Sequence, residues 1–230
     1  MARQNAIRLS CQGNLRMIQM GISSYYNDMN YYPRSKIVID KGPNATATYA
    51  WTVSVIDYLN SRLSYVHEVK DDGNGTVFHM EKCKIFQCPN YYTDRDSNRD
   101  TGTYIGITGE GVKSENALVT SSDAGFFGFP RMLQNHCVAK GVSYLAYIAE
   151  SKVELGNWWS YSQVTLRAVD RKTDFMSSYG GLHADGKGRV VANVLFLDGT
   201  VRQVSNAYSN DTIVDMFLVN SKSIPIFVDE

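Results

Sequence analysis

Between residues 2 and 29, the apolar side chains Ile7, Cys11, Leu15, Ile18, Ile22, Tyr25 and Met29 recur at intervals of four, four, three, four, three and four. That spacing predicts one α-helix with a single apolar stripe. Gln4, Arg8, Gln12, Arg16, Gln19, Ser23 and Asn27 fall on its polar face. A helix with one apolar side must bury it against another element, so the stripe requires a sheet or a second helix beneath it. The pattern stops at Asn30-Tyr31-Tyr32-Pro33, because proline disfavours helix for the residue before it. A helix of about 28 residues is about 42 Å long, large for a chain of this length. No Ser, Thr, Asp or Asn stands ahead of residue 2 to cap it, which leads to the expectation that the helix continues upstream in the native gene.

Beyond Pro33 the periods shorten. Trp51, Val55 and Tyr58 or Leu59 predict a second helix over roughly 50–60. The turn-forming run Asp-Asp-Gly-Asn-Gly-Thr at 71–76 separates two expected strands, Leu63 to Val69 and Thr76 to Met80. Further strands are expected at Thr103 to Thr108, Val142 to Ala149, Gln163 to Val169 and Val190 to Leu197. Asp198-Gly199 predicts a two-residue type I′ turn between the last of these and Thr200 to Val204. Asn210 is the expected cap of a helix running to about Val219, and Ile224 to Val228 reads as an edge strand. With no internal repeat and no low-complexity linker, residues 1–230 read as a single α+β domain. Its helical spine is 2–29, its globular sheet region about 50–230, and the long N-terminal helix packs on an antiparallel β-sheet with irregular loop insertions.

Composition excludes several classes. Hydrophobic residues at 43% and charged residues at 20% fit a folded chain. Lys plus Arg (23) equals Asp plus Glu (23), so there is no positive surplus for a nucleic-acid partner. The longest apolar run, Val194-Leu195-Phe196-Leu197, is far short of the roughly 18 residues that span a bilayer. No signal-peptide pattern opens the chain, and the sequence as written is expected to be soluble. Four cysteines are too few for a disulfide scaffold.

An ordered set of segments carries a family resemblance. It runs from Ala2-Arg3 into Cys11-Gln12-Gly13-Asn14-Leu15-Arg16-Met17-Ile18, then Tyr31-Tyr32-Pro33, Trp51 with Tyr58-Leu59, Phe86-Gln87-Cys88-Pro89 and Thr103-Tyr104. It ends with Asn193-Val194-Leu195-Phe196-Leu197-Asp198-Gly199-Thr200-Val201. In this order the chain resembles type IV pilin-like proteins with a prepilin-type N-terminal cleavage and methylation segment, related to type II secretion pseudopilins. The resemblance implies an upstream leader, a peptidase site and about 20 apolar residues that form the first half of one continuous helix. This sequence lacks that leader motif and apolar half. The resemblance further implies a parent anchored in the bacterial inner membrane, with this domain on the periplasmic or extracellular side. Its partners would be other pilin-like subunits of a filament or pseudopilus, and its role structural, with no catalysis. In that layout Cys11 and Cys88 occupy two recurring motifs, and a bridge between them would staple helix to sheet. The alternative is a buried free thiol at Cys11, which its place on the apolar stripe fits equally well.

Other constellations point to rival functions. Asp94, Asp96, Asn98 and Asp100 alternate oxygen-bearing side chains as calcium loops do, and some pseudopilins hold calcium in a loop of their globular domain. The EF-hand rule fails, with Arg99 in place of its glycine and Ile105 in place of its glutamate, and the interleaved arginines fit a self-neutralised solvated loop. His79, Cys83 and Cys88 have partial zinc spacing without a fourth ligand. His183 and Asp185 could form an oriented acid–base or metal pair, although the glycines before them favour a plain approach to the hairpin. No Gly-x-Ser-x-Gly elbow and no P-loop lysine motif accompanies them. Trp158 and Trp159, adjacent on an expected strand, point to opposite faces, which predicts a partner surface there, against the alternative that these large aromatics fill the core under long loops. With Tyr161 and the Phe126-Phe127-Gly128-Phe129 tract, they support a surface carbohydrate- or protein-binding module as the alternative function.

Overall fold

The apolar stripe becomes α1 (Ala2–Met29), whose buried residues are Cys11, Leu15, Ile18, Gly21, Ile22 and Tyr25. The stripe overreaches at its ends: Ile7 is half-buried and Met29 is 43% exposed, because the sheet beneath is shorter than the helix. Asn30 takes a left-handed backbone (φ 59°) and its N–H donates to the Tyr26 carbonyl at 2.8 Å, closing the helix three residues ahead of Pro33. The protein is represented by a computed structural model that describes residues 2–40, 46–59, 68–71, 76–79, 83–91, 101–111, 123–128, 140–185, 187–219 and 221. Among them, no helix is long and apolar enough to cross a membrane.

A hairpin of β1 (Lys36–Asp40) and β2 (Thr46–Ala50), which the sequence pattern did not announce, leads into α2 (Trp51–Ile56). α2 lies close to α1 because Gly21 has no side chain. A Cβ there would sit 2.7 Å from Leu59 Cδ2 and 2.8 Å from Val55 Cγ1. β3 (Glu68–Asp71) and β4 (Thr76–His79) form a hairpin about the turn expected at 71–76.

The remaining elements are β5 (Thr101–Gly102), β6 (Tyr104–Glu110), β7 (Ala146–Glu150), β8 (Gly156–Asn157), β9 (Leu166–Val169), α3 (Phe175–Tyr179), β10 (His183–Ala184), β11 (Val190–Phe196), β12 (Val201–Val204) and α4 (Asn210–Phe217). The central sheet runs β10-β11-β7-β6-β9, with β12 also paired to β11. The architecture is α+β, and every pairing in this sheet is antiparallel except β6 with β9, which is parallel.

Alternation along the strands divides the core between the two sheet faces. Tyr104, Tyr147, Leu195 and Leu197 pack with Leu15, Trp51 and Val55 of α1 and α2. Ile105, Ile107, Val194 and Phe196 pack with Phe175 of α3 and with Ile213, Val214 and Phe217 of α4.

Two local expectations are corrected. In the β11–β12 hairpin, Gly199 N–H donates to the Phe196 carbonyl at 2.9 Å, and of the two turn residues only Gly199 (φ 85°) has a positive φ. A type I′ turn needs positive φ at both central positions. The connection is instead a three-residue loop, Leu197-Asp198-Gly199, with glycine in the left-handed position. The cap of α4 is Ser209, whose Oγ accepts from Thr212 N–H, rather than Asn210. Asn210 instead donates through Nδ2 to the carbonyls of Asp170, Arg171 and Thr173 and accepts from Phe175 N–H, tying the entry of α3 to α4. The edge strand expected at 224–228, and residues 63–67 of an earlier one, lie outside the described residues.

Candidate functional site

Four segments meet beneath the first half of α1. Cys11 comes from α1, Cys88 from the loop after a 3-10 turn (Lys84–Phe86), Glu150 from the end of β7, and His183 from β10. Cys11 faces inward because it lies on the buried stripe. Cys88 is held by its backbone: its N–H donates to Thr103 Oγ1 at 2.7 Å, and Thr103 N–H donates to the Phe86 carbonyl at 2.9 Å. The Phe86 ring stacks on Trp158 at 5.1 Å and 17°. So placed, Cys11 and Cys88 form a disulfide with Cα atoms 5.2 Å apart, closing 77 residues of sequence.

The disulfide is bordered by a buried polar chain. His183 Nε2 lies 3.4 Å from Cys88 Sγ and 3.1 Å from Glu150 Oε1. Glu150 Oε2 accepts from both the backbone N–H and the Nδ2 of Asn193, at 3.2 and 3.1 Å. Gln12 Nε2 of α1 donates to Asn193 Oδ1 at 3.4 Å. Glu150 and Asn193 have no solvent exposure. A buried carboxylate is tolerated only when its oxygens are hydrogen-bonded, and here each oxygen has a partner. Tyr104 donates to the Cys11 carbonyl at 3.4 Å; burial, and secondarily the charge of Glu150, hold its hydroxyl well above the ordinary tyrosine range. Gln12, assigned to the polar face from sequence, is therefore half-buried and part of this network.

Three further ties fix α1 along its length. Asn14 Nδ2 donates to the Gln87 carbonyl at 3.1 Å, and Gln19 Nε2 donates to the Leu197 carbonyl at 3.1 Å. Gln19 Oε1 accepts from the Tyr147 hydroxyl. The outer side of the helix remains apolar in part: Leu9 is 60% and Met20 69% exposed, about three turns apart on one face, with Met17 beside them.

The other sequence-derived sites are placed differently from expectation. While the disulfide stands, Cys88 does not serve a His79-Cys83-Cys88 zinc set; Cys83 is buried, and the His79 side chain lies outside the described residues. His183 pairs with Glu150 rather than Asp185. Asp185 starts the turn into β11 and accepts there from the N–H groups of Lys187 and Arg189, both at 2.8 Å, and from Arg189 Nε at 2.6 Å. Partial desolvation opposes ionisation of Asp185, but these Arg189 and Lys187 donors outweigh it and hold the carboxyl below its ordinary range.

Trp158 is 1% exposed, which corrects its assignment to a partner surface and removes one of the rings offered for stacking on a sugar. Residues 158–159 form a turn after β8, with Ser160 N–H bonded to the Asn157 carbonyl. The opposite-face rule for strands therefore does not apply, and both tryptophans pack inward, Trp159 half-buried near Tyr49. Asp94, Asp96, Asn98 and Asp100 lie outside the described residues.

A cleft of about 340 Å³ beside β9 is lined by Thr108, Gln163, Arg167 and Ser178 among others. Arg167 spends its Nη groups there on the carbonyls of Ser178 (2.9 Å) and Val153 (3.0 Å), so it joins two loops.

Glu150 and Asn193 were missed from sequence. Their signal was a polar residue inside or ending an otherwise apolar strand, Ala146-Tyr-Ile-Ala-Glu150 and Val190-Val-Ala-Asn193-Val-Leu-Phe196. A family model described as "Protein of unknown function (DUF1559)" matches residues 1–157, a span that contains Cys11, Cys88 and Glu150. No curated protein and no solved structure matches the chain.

Proposed function

The chain belongs to this DUF1559 family, and on that premise we propose that it is a structural, pilin-like subunit that assembles through α1. The observation that carries this reading is that the two sides of α1 have different fates. One side is clamped to the sheet by a disulfide and side-chain hydrogen bonds; the other leaves Leu9, Met17 and Met20 in solvent. Exposed apolar side chains repeated along a rigid helix are suited to packing against neighbouring copies. A clamp that spans a long stretch of sequence lets such a helix transmit load without peeling from its domain. In this reading the native chain carries an apolar half-helix upstream of α1, anchored in the bacterial inner membrane. The described domain lies on the periplasmic or extracellular side, and its partners are other pilin-like subunits of a pilus or secretion pseudopilus. The protein has a mechanical role, without catalysis and without a nucleic-acid partner.

The test is cell fractionation of the native gene product carrying Met20→Cys, followed by treatment with a bifunctional maleimide. Expected is a ladder of cross-linked multiples in the membrane fraction and in material sheared from cells. A monomeric product confined to the soluble fraction would overturn the reading.

A further inference from the structure

The donor atoms of Cys11, Cys88, Glu150 and His183 all lie within 4.8 Å of one another, and all four residues are buried. The subunit role uses Glu150 only as an anchor for Asn193 and gives no task to His183. We infer that this cluster is a redox-gated zinc site, closed while the disulfide stands and opened when the two cysteines are thiols.

Two thiolate sulfurs, one imidazole nitrogen and one carboxylate oxygen form a donor set that suits a four-coordinate Zn²⁺. With bonds of about 2.0–2.3 Å, tetrahedral ligands lie about 3.3–3.8 Å apart. Two edges are close to this already: Cys88 Sγ to His183 Nε2 at 3.4 Å and His183 Nε2 to Glu150 Oε1 at 3.1 Å. The other donor atoms lie within 4.8 Å of one another, and the two bonded sulfurs must separate, which cleavage of their bond permits by side-chain rotation. The outer shell is also in place. Asn193 holds Glu150 Oε2 through two N–H groups, and Gln12 holds Asn193, so the carboxylate is oriented with Oε1 toward the cluster.

Charge balance favours the ion. Two buried thiolates and a buried carboxylate would be prohibitively costly without a cation, and Zn²⁺ cancels most of that charge. The opening step balances with a water-soluble trialkylphosphine as reductant. Phosphorus attacks one sulfur and the Cys11–Cys88 bond breaks. Water then supplies the oxygen of the phosphine oxide and the two protons of the thiols, so the phosphine loses two electrons and the disulfide gains them. Zn²⁺ afterwards displaces the two thiol protons to solvent, and it needs the Nε2 lone pair, with the imidazole proton carried on Nδ1.

The test uses the whole chain, phosphine-reduced under anaerobic conditions and titrated with Co²⁺ as a spectroscopic stand-in for Zn²⁺. Expected is one Co²⁺ per chain with thiolate-to-cobalt charge-transfer absorption and tetrahedral ligand-field bands, both abolished by added Zn²⁺ and absent from the oxidised protein. Asn193→Ala, which removes only an outer-shell contact, should weaken binding roughly 10–100-fold while the bands persist at saturation. Bands that persist in the Cys11→Ser, Cys88→Ser double variant, or unchanged in both His183→Ala and Glu150→Gln, would overturn the site. So would a reduced chain that shows no bands, or one whose circular dichroism stays unfolded with and without metal. Failure here would leave the subunit reading standing, because that reading requires only the oxidised clamp.

Discussion

The two faces of the central sheet are closed by different means. Over one face lies α1, held by a disulfide, a buried carboxylate network and the bonds of Asn14 and Gln19. Over the other lie α3 and α4, where Phe175 stacks between Tyr179 (4.5 Å) and Phe217 (5.8 Å), and Ile213, Val214 and Met216 fill the remainder. The described ion pairs on that second side sit at its rim, where Arg171 bridges Glu110, Asp211 and Asp215. Apolar burial is non-directional, so it seats a short helix such as α4 but does little to stop a long one from sliding along its axis. α1 is longer than the surface it covers. Its register therefore depends on directional bonds spread along its length, and the covalent one is the strongest.

The largest expected effect is that of the Cys11→Ser, Cys88→Ser double variant. By loop-closure entropy, opening a 77-residue separation costs about 4.5 kcal/mol. The loss should be read as a lower denaturation midpoint, with backbone amides of α1 exchanging before those of α4. Equal loss of protection in both helices would show that the two faces form one cooperative unit and erase the distinction. Phe217→Ala, on the face without covalent support, should cost about 3–4 kcal/mol, the lower part of the usual range for emptying a buried aromatic site. Here α1 should keep its relative protection; selective loosening of α1 would mean that the faces are coupled through the strands.

A third, slightly smaller effect is a dependence on pH. Lys140 is buried at the end of α4, where its Nζ donates to the Leu218 carbonyl at 3.1 Å and to the Asp215 carbonyl. Burial, reinforced by Arg171 and opposed by the Asp215 carboxylate, pushes its pKa down to about 8 from 10.5. Between those values the unfolded chain binds more protons than the folded one, so stability rises as pH increases from about 8 toward 10. The full shift corresponds to about 3 kcal/mol. Lys140→Met should flatten that rise in denaturant titrations. Above pH 10 the slope reverses in both proteins, because burial keeps the Tyr104 and Tyr147 hydroxyls neutral in the folded state while the unfolded chain ionises.

Legibility in the sequence follows the same division. α1 was readable to the residue because a 3.6-residue period repeated over many turns is a local signal, and β6, β7, β9 and β11 were readable as strands, with the starts of β7 and β9 set a few residues too early. What was not readable depended on register between distant strands. Glu150 and Asn193 are 43 residues apart and meet only because β7 and β11 pair, and His183 reaches Glu150 from a two-residue strand too short to announce itself. The parallel pairing of β9 with β6 has no local mark at all. The turn at Asp198-Gly199 was placed correctly and typed wrongly, since the dipeptide suits several turn geometries and pairing of the flanking strands selects among them. Trp158 was misplaced by a strand rule applied to a turn, whereas Cys11 and Cys88 entered as a pair through their ordered family-like motifs.

The smallest effect on folding is expected at the outer side of α1, where it sharpens the contrast between clamp and surface. Met20 is 69% exposed, so Met20→Glu removes little buried area and should change stability by no more than about 0.5 kcal/mol. A helix interior tolerates glutamate as readily as methionine, which leaves propensity neutral. If that side of α1 packs against neighbouring copies, the same substitution places a charge in an apolar contact, and the cross-linked ladder from a Leu9→Cys derivative should shorten while the monomer melts unchanged. A melt lowered by several kcal/mol would instead show that Met20 is covered within its own domain, and α1 would then have only one working face.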